Sequence, residues 1–118
     1  VQDRLRAYGA TPVVHGSVWD EANEYAMDLA EDTMGILVHP FDHPDLWEGH
    51  ASVVAEVREE LPEPPGAFVA VVGGGGLLRG ILQGLEEAGP GWRDVPVVAC
   101  ETTGAASMAT SLQQGELV

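Results

Sequence analysis

The sequence predicts an α/β fold built on a parallel sheet, and three observations carry that expectation. Ala67-Phe68-Val69-Ala70-Val71-Val72 and Val95 to Cys100 are apolar runs of strand length without polar alternation, the pattern of strands buried on both faces of a parallel sheet. Stretches with helical spacing of apolar residues lie before, between and after them. Glycine and proline clusters such as Pro62-Glu63-Pro64-Pro65-Gly66 and Gly89-Pro90-Gly91 punctuate the junctions. Strands alternating with helices imply crossover connections, hence parallel pairing.

Taken in order, residues 2–8 read as a helix ended by Gly9. Thr11-Pro12-Val13-Val14-His15 reads as a short strand. Ser17 can cap the next helix, with Asp20 and Glu21 in its first turn, where the helix dipole favours negative charge. Val18, Ala22, Ala26, Leu29 and Ala30 share one face of that helix. Gly35 opens a strand, Ile36-Leu37-Val38-His39, and Pro40 and Pro44 mark a loop. A helix is expected from about Trp47 to Leu61, with Trp47, Ala51, Val54 and Leu61 on one face. Two further helices are expected over 76–88 and 105–114. The loop at 40–46 is the best domain boundary. The chain opens inside a helical pattern at Val1 and stops at Gly115-Glu116-Leu117-Val118, which reads as the approach to another strand. An internal fragment of a longer protein is the expectation.

The chain has 118 residues, 19 of them acidic and 5 basic, a formal net charge of -14. Every basic residue is an arginine, and there is no lysine. Phosphate neutralisation needs clustered Lys and Arg, so nucleic acid is excluded as a default partner. The same balance argues against anionic membrane surfaces. No apolar stretch reaches the roughly 18 residues a membrane span needs. The single cysteine, Cys100, makes no internal disulfide, which fits a reducing, cytoplasmic compartment.

Gly73-Gly74-Gly75-Gly76 follows the first buried strand and opens a helix. One or two glycines suffice for a tight turn, and four are costly to order. Four in a row leave successive backbone N–H groups open to an anion, and the helix N-terminus adds partial positive charge. A phosphate cradle is the favoured reading. The dinucleotide fingerprint G-x-G-x-x-G fails in every register here, and the nucleotide-binding G-K-[ST] ending is absent. A small phosphorylated cofactor held by backbone alone remains. Gly76, Gly80 and Gly84 would line one helix face and let it pack closely, with Leu77, Ile81, Leu82 and Leu85 as apolar contacts.

Glu101 directly follows the second buried strand, so it should share a sheet edge with the glycine run, where ligands of parallel sheets bind. It can cap the next helix, or join backbone oxygens around a hard cation. His39 and His43 cannot share a continuous helix across Pro40 and Pro44, and loop surface suits them better than zinc. His15 reads as structural, and His50 is undecided between site and solvent. Cys100 reads as a small buried hydrophobe, Trp19 and Trp47 as packing residues, and Glu56 to Glu63 as a solvated helix face.

Several segments, in order along the whole chain, carry a resemblance. Leu5-Arg6-Ala7-Tyr8-Gly9-Ala10, Val18-Trp19-Asp20-Glu21-Ala22-Asn23, Pro40-Phe41-Asp42-His43-Pro44, Trp47-Glu48-Gly49-His50-Ala51-Ser52, Val72 to Leu78 and Val95 to Thr102 resemble the serine dehydratase family. These are pyridoxal-phosphate enzymes of the tryptophan-synthase-β fold (fold type II). Threonine dehydratases and serine racemases usually have Gly-Gln-Gly-Thr where this chain has Glu48 to Ser52, which favours the serine dehydratase branch and its serine-dehydratase-like members.

The resemblance implies that Gly73, Gly74, Gly75, Gly76 and the Leu77 amide bind the cofactor phosphate. It implies a cation site from the Gly73 carbonyl, Glu101, Ala105 and Ser107, of potassium type because racemases carry Asp at the Ser107 position. Residues 1–41 would end the small domain and 42–118 belong to the large, cofactor-binding domain. The implied activity is α,β-elimination from L-serine or L-threonine, giving pyruvate or 2-oxobutanoate and ammonia, in a homodimer. No catalytic residue is assigned: the Schiff-base lysine, the Ser-Gly-Asn substrate loop and the Cys or Ser that meets the pyridine nitrogen lie outside this window. The alternatives are a serine or threonine racemase on the same scaffold and a non-catalytic α/β module that holds some other phosphate.

Overall fold

The computed structural model describes residues 1–118. The elements run α1 (Gln2–Ala7), α2 (Trp19–Asp32), α3 (Pro44–Glu60), β1 (Phe68–Val71), α4 (Gly76–Ala88), β2 (Val97–Cys100) and α5 (Ser107–Gln114). They fall into two compact units, Val1–Val38 and His39–Val118.

In the first unit, α2 starts one residue later than the Ser17 cap expected. Its N-cap is Val18, which has no side-chain acceptor. Glu21, at the third helical position, reaches back instead: its Oε2 accepts the Ser17 backbone N–H at 2.6 Å and the Ser17 hydroxyl at 3.2 Å. The carboxylate thus reaches one residue past the N-cap, a variation on the capping box, and those bonds, the Ser17 backbone N–H foremost, hold the Glu21 carboxyl below the ordinary range for glutamate. His15 stacks on Tyr25 with ring centroids 4.3 Å apart, a structural role as expected. The segments 11–15 and 36–39 are not strands. A strand exists through the ladder it shares, and neither segment joins one. Val14, Ile36 and Val38 are largely exposed instead.

In the second unit, α3 begins three residues before Trp47. Pro44 occupies its first position, where a missing N–H costs nothing, and the N-cap His43 accepts the Asp45 N–H through Nδ1 at 3.2 Å. The helix ends before Leu61, which lies outside its packed face and is exposed. β1 and β2 pair in parallel, Phe68 opposite Val97 through Val71 opposite Cys100. The core gathers Val54, Ala70, Ile81, Leu85, Trp92 and Val95. Trp92, which the sequence reading did not single out, anchors one end of it.

The two strands are not buried on both faces. Phe68 and Ala70 join the core, whereas Val69 and Val71 are each 71% exposed. The register sets Val98 and Cys100 beside them, so Cys100 is exposed rather than a buried hydrophobe. The reason is local: helices cover one side of this pair and leave the other face open.

The glycine stripe of α4 is a packing device. A Cβ on Gly80 would collide with His50 Cβ and lie 2.8 Å from the Trp47 carbonyl oxygen; one on Gly84 would lie 2.7 Å from the Ala51 oxygen. α3 therefore approaches α4 backbone to backbone. This also settles His50, which is half-buried against α4. Ile81 and Leu85 are buried in this contact, while Leu77 and Leu82 stay 42% and 46% exposed.

Candidate functional site

Parallel pairing brings the carboxyl ends of β1 and β2 to one edge, and the Val72 N–H extends the ladder to the Cys100 carbonyl at 2.8 Å. The glycine run leaves from one strand there and Glu101 from the other. Beyond that edge lies a cavity of about 750 Å³, bordered by Phe41, Gly73, Gly74, Gly75, Ser107 and Met108 among others. That volume suits a small-molecule ligand.

Each glycine of the run has its own reason. Gly75 is the N-cap of α4 at φ 86°, a left-handed conformation that costs other residues roughly 1–2 kcal/mol. A Cβ on Gly74 would collide with the Phe41 ring, and one on Gly76 would lie 2.7 Å from the Phe41 carbonyl oxygen. Gly73 has ordinary φ and open space around it, so neither strain nor packing demands a glycine there. No side chain caps α4. The amides of its first turn, which an α-helix leaves without internal partners, therefore remain available to an anion in the cavity.

The residues expected at the site divide. Gly73, Gly74, Gly75 and Ser107 border the cavity; Gly76, Leu77, Glu101 and Ala105 do not. Gly76 is buried under Phe41, and Ala105 sits in a tight turn bridged to Thr102. Glu101 caps α5: Oε1 accepts the Met108 N–H at 3.0 Å and Oε2 the Ala109 N–H at 2.8 Å. No cluster of three or more His, Cys, Asp and Glu side chains forms. His43 serves as the α3 cap, and His39 Nδ1 accepts the Asp42 N–H at 2.8 Å.

Glu101→Ala removes both bonds and a negative charge from a helix N-terminus, an expected loss of about 1–2 kcal/mol. Hydrogen exchange at Met108 and Ala109 checks it: protection equal to that of the unsubstituted chain would refute the capping role.

Phe41, Met108 and Ser111 were not anticipated in the cavity wall. Phe41 meets the glycine run from far away in sequence, which no spacing rule detects. The one available signal was the excess of glycines over what a turn needs.

Known proteins resemble this chain in sequence and backbone. A family model described as pyridoxal-phosphate dependent enzyme matches residues 1–118. A mouse protein named serine dehydratase-like is 53% identical over 115 residues, and a human L-serine dehydratase/L-threonine deaminase 51% over 117; the alignments cover 98% of this chain. The chain spans 34% and 35% of those relatives' lengths. The crystal structure of a fungal L-serine ammonia-lyase from Rhizomucor miehei superposes with a TM-score of 0.87 at 40% identity, covering 98% of this chain and 36% of that one. The partial fold-type II architecture is thus present, and by sequence and backbone alike the chain belongs to the pyridoxal-phosphate-dependent enzyme family.

Proposed function

We propose that this chain is the phosphate-anchoring part of a pyridoxal-phosphate-dependent L-serine/L-threonine ammonia-lyase. The observation that carries the reading is the glycine run at the mouth of the cavity. Gly73 and Gly75 border it, and a Cβ on either would meet no protein atom within 4 Å. That leaves a concave backbone surface that a phosphate ester fits. The names of the relatives, serine dehydratase and threonine deaminase, support the substrate class.

In this reading Gly73 to Gly76 and the Leu77 amide donate backbone hydrogen bonds to the phosphate, and the α4 dipole adds to them. Their part is to bind and orient. The bound cofactor supplies an electron sink for negative charge at the substrate α-carbon. The chain has no lysine, so neither cofactor attachment nor movement of the α-proton is assigned to any of these residues. Met108 and Ser111 also line the cavity. The Gly73 carbonyl, Glu101, Ala105 and Ser107 form the proposed site of a potassium-type cation; carboxylate, carbonyl and hydroxyl oxygens suit a hard ion, which would tie the loop after β2 to the glycine run. Residues 1–41 as part of a small domain, 42–118 as part of the large one, a homodimeric assembly and a cytoplasmic location complete the proposal. No helix is long and apolar enough to cross a membrane.

Product analysis on the full-length protein tests the activity. With pyridoxal phosphate and L-serine or L-threonine, keto acid and ammonia should form in equal amounts. D-amino acid without keto acid would make the protein a racemase, and neither product would leave a phosphate-binding module.

A further inference from the structure

We propose that Trp47 and His39 are positioning residues for the glycine run, acting through Phe41; the inference rests on the phosphate reading above. Phe41 touches two of the four glycines: its ring lies against the backbone at Gly74 and its carbonyl against Gly76. A glycine run has no side chains to hold its own shape, and its conformational freedom is the largest of any residue type. A neighbour that packs on it must supply the rigidity that aligned amides need.

Phe41 is itself clamped on both sides of its backbone. The Trp47 indole Nε1–H donates to the Phe41 carbonyl at 2.9 Å. The Phe41 N–H donates to His39 Nδ1 at 3.3 Å, and the two rings meet edge to face at 4.6 Å. The clamp is tied to α4 as well as to α3. Trp47 sits in the first turn of α3, its carbonyl abuts Gly80, and the Arg79 guanidinium lies 5.3 Å above its ring, within cation–π range. Neither Trp47 nor His39 borders the cavity, so any effect they have on the ligand passes through Phe41. An aromatic indole N–H aimed at one carbonyl fixes the height of Phe41 over the run, and with it the spread of the amides.

The test uses the full-length apoprotein titrated with pyridoxal phosphate, with the melting temperature of the apoprotein measured in parallel. Trp47→Phe keeps an aromatic ring and deletes the donor. The affinity should fall about threefold to tenfold, the worth of one hydrogen bond. A merely structural role would lower the melting temperature and leave the affinity of the folded fraction unchanged, and that result overturns the proposal. If Trp47→Phe does not fold, His39→Ala releases the other side of Phe41 and should weaken binding in the same way. Gly73→Val is the control on the phosphate reading. Wild-type affinity in the Trp47 or His39 variant beside a weakened Gly73 variant defeats the positioning role alone. Wild-type affinity in all of them defeats both readings.

Discussion

Gly80→Ala and Gly84→Ala are expected to destabilise the protein, while Gly49→Ala is expected to stabilise it. All three glycines lie inside helices, so propensity alone gives one answer for each: alanine is better by about 1 kcal/mol. Space decides otherwise at two of them. At Gly49 in α3 an added Cβ meets nothing within 4 Å, so the propensity gain stands. At Gly80 and Gly84 it would strike α3 backbone oxygens at 2.8 and 2.7 Å, and backbone within a helix cannot step aside as the end of a side chain can. Overpacking of this kind costs roughly 1–3 kcal/mol and occasionally more. Subtracting the helix gain leaves a net loss of up to about 2 kcal/mol. Gly84→Val brings more atoms against Val54 and forgoes the propensity gain, so it should exceed about 3 kcal/mol. Urea midpoints at constant slope read all four. A raised midpoint for Gly80→Ala would mean that α3 and α4 sit farther apart than these contacts require.

That packing was legible in the sequence because a four-residue glycine period has few meanings on a helix. The bounds of α4 were legible for the same reason: the glycine run opens it and Gly89-Pro90-Gly91 closes it. Pro44 misled, since a proline marks a loop or a first helical turn equally well, and only the His43 cap decides between them. The segments 11–15 and 36–39 failed for a deeper reason. Apolar residues of strand length state a tendency, and the ladder partner that converts the tendency into a strand is not local information. The two-sided burial expected of Val69, Val71 and Cys100 failed likewise. Their composition fits a sheet covered on both faces, and these residues cover only one.

At the site, topology was the legible part. Parallel strands end on one edge, so the glycine run and Glu101 had to be neighbours, and they are. The two meanings of Glu101 could not be separated by spacing. Its oxygens take the Met108 and Ala109 amides, a cap supplied from the strand end rather than from the residue before the helix, where sequence rules look for one. Phe41 was invisible as a site residue because its contact with Gly74 joins segments that no local pattern connects.

The largest effect on ligand binding is expected from Gly73→Val in the full-length protein, because this glycine alone in the run has no structural reason. Gly75 demands glycine through its φ of 86°, and Gly74 and Gly76 through Phe41. Substitution at those three mixes a folding cost with any binding cost. Gly73 has neither burden: its φ is not left-handed and a Cβ there meets nothing within 4 Å. Apoprotein stability should therefore change by no more than about 0.5 kcal/mol, as for a surface substitution. Binding should change a great deal. Valine at the cavity wall fills the approach of the anion and separates it from the amides of the run. Each hydrogen bond to a charged group contributes about 1.5–3 kcal/mol, so the loss of two weakens pyridoxal phosphate binding by on the order of a hundredfold or more. Titration of the apoprotein, with denaturation of the same sample, separates the two costs. Unaltered affinity would show that the phosphate does not lie over Gly73 and that its glycine serves something else. Lost affinity with intact stability would assign the residue to the ligand, since nothing in the packing asks for it.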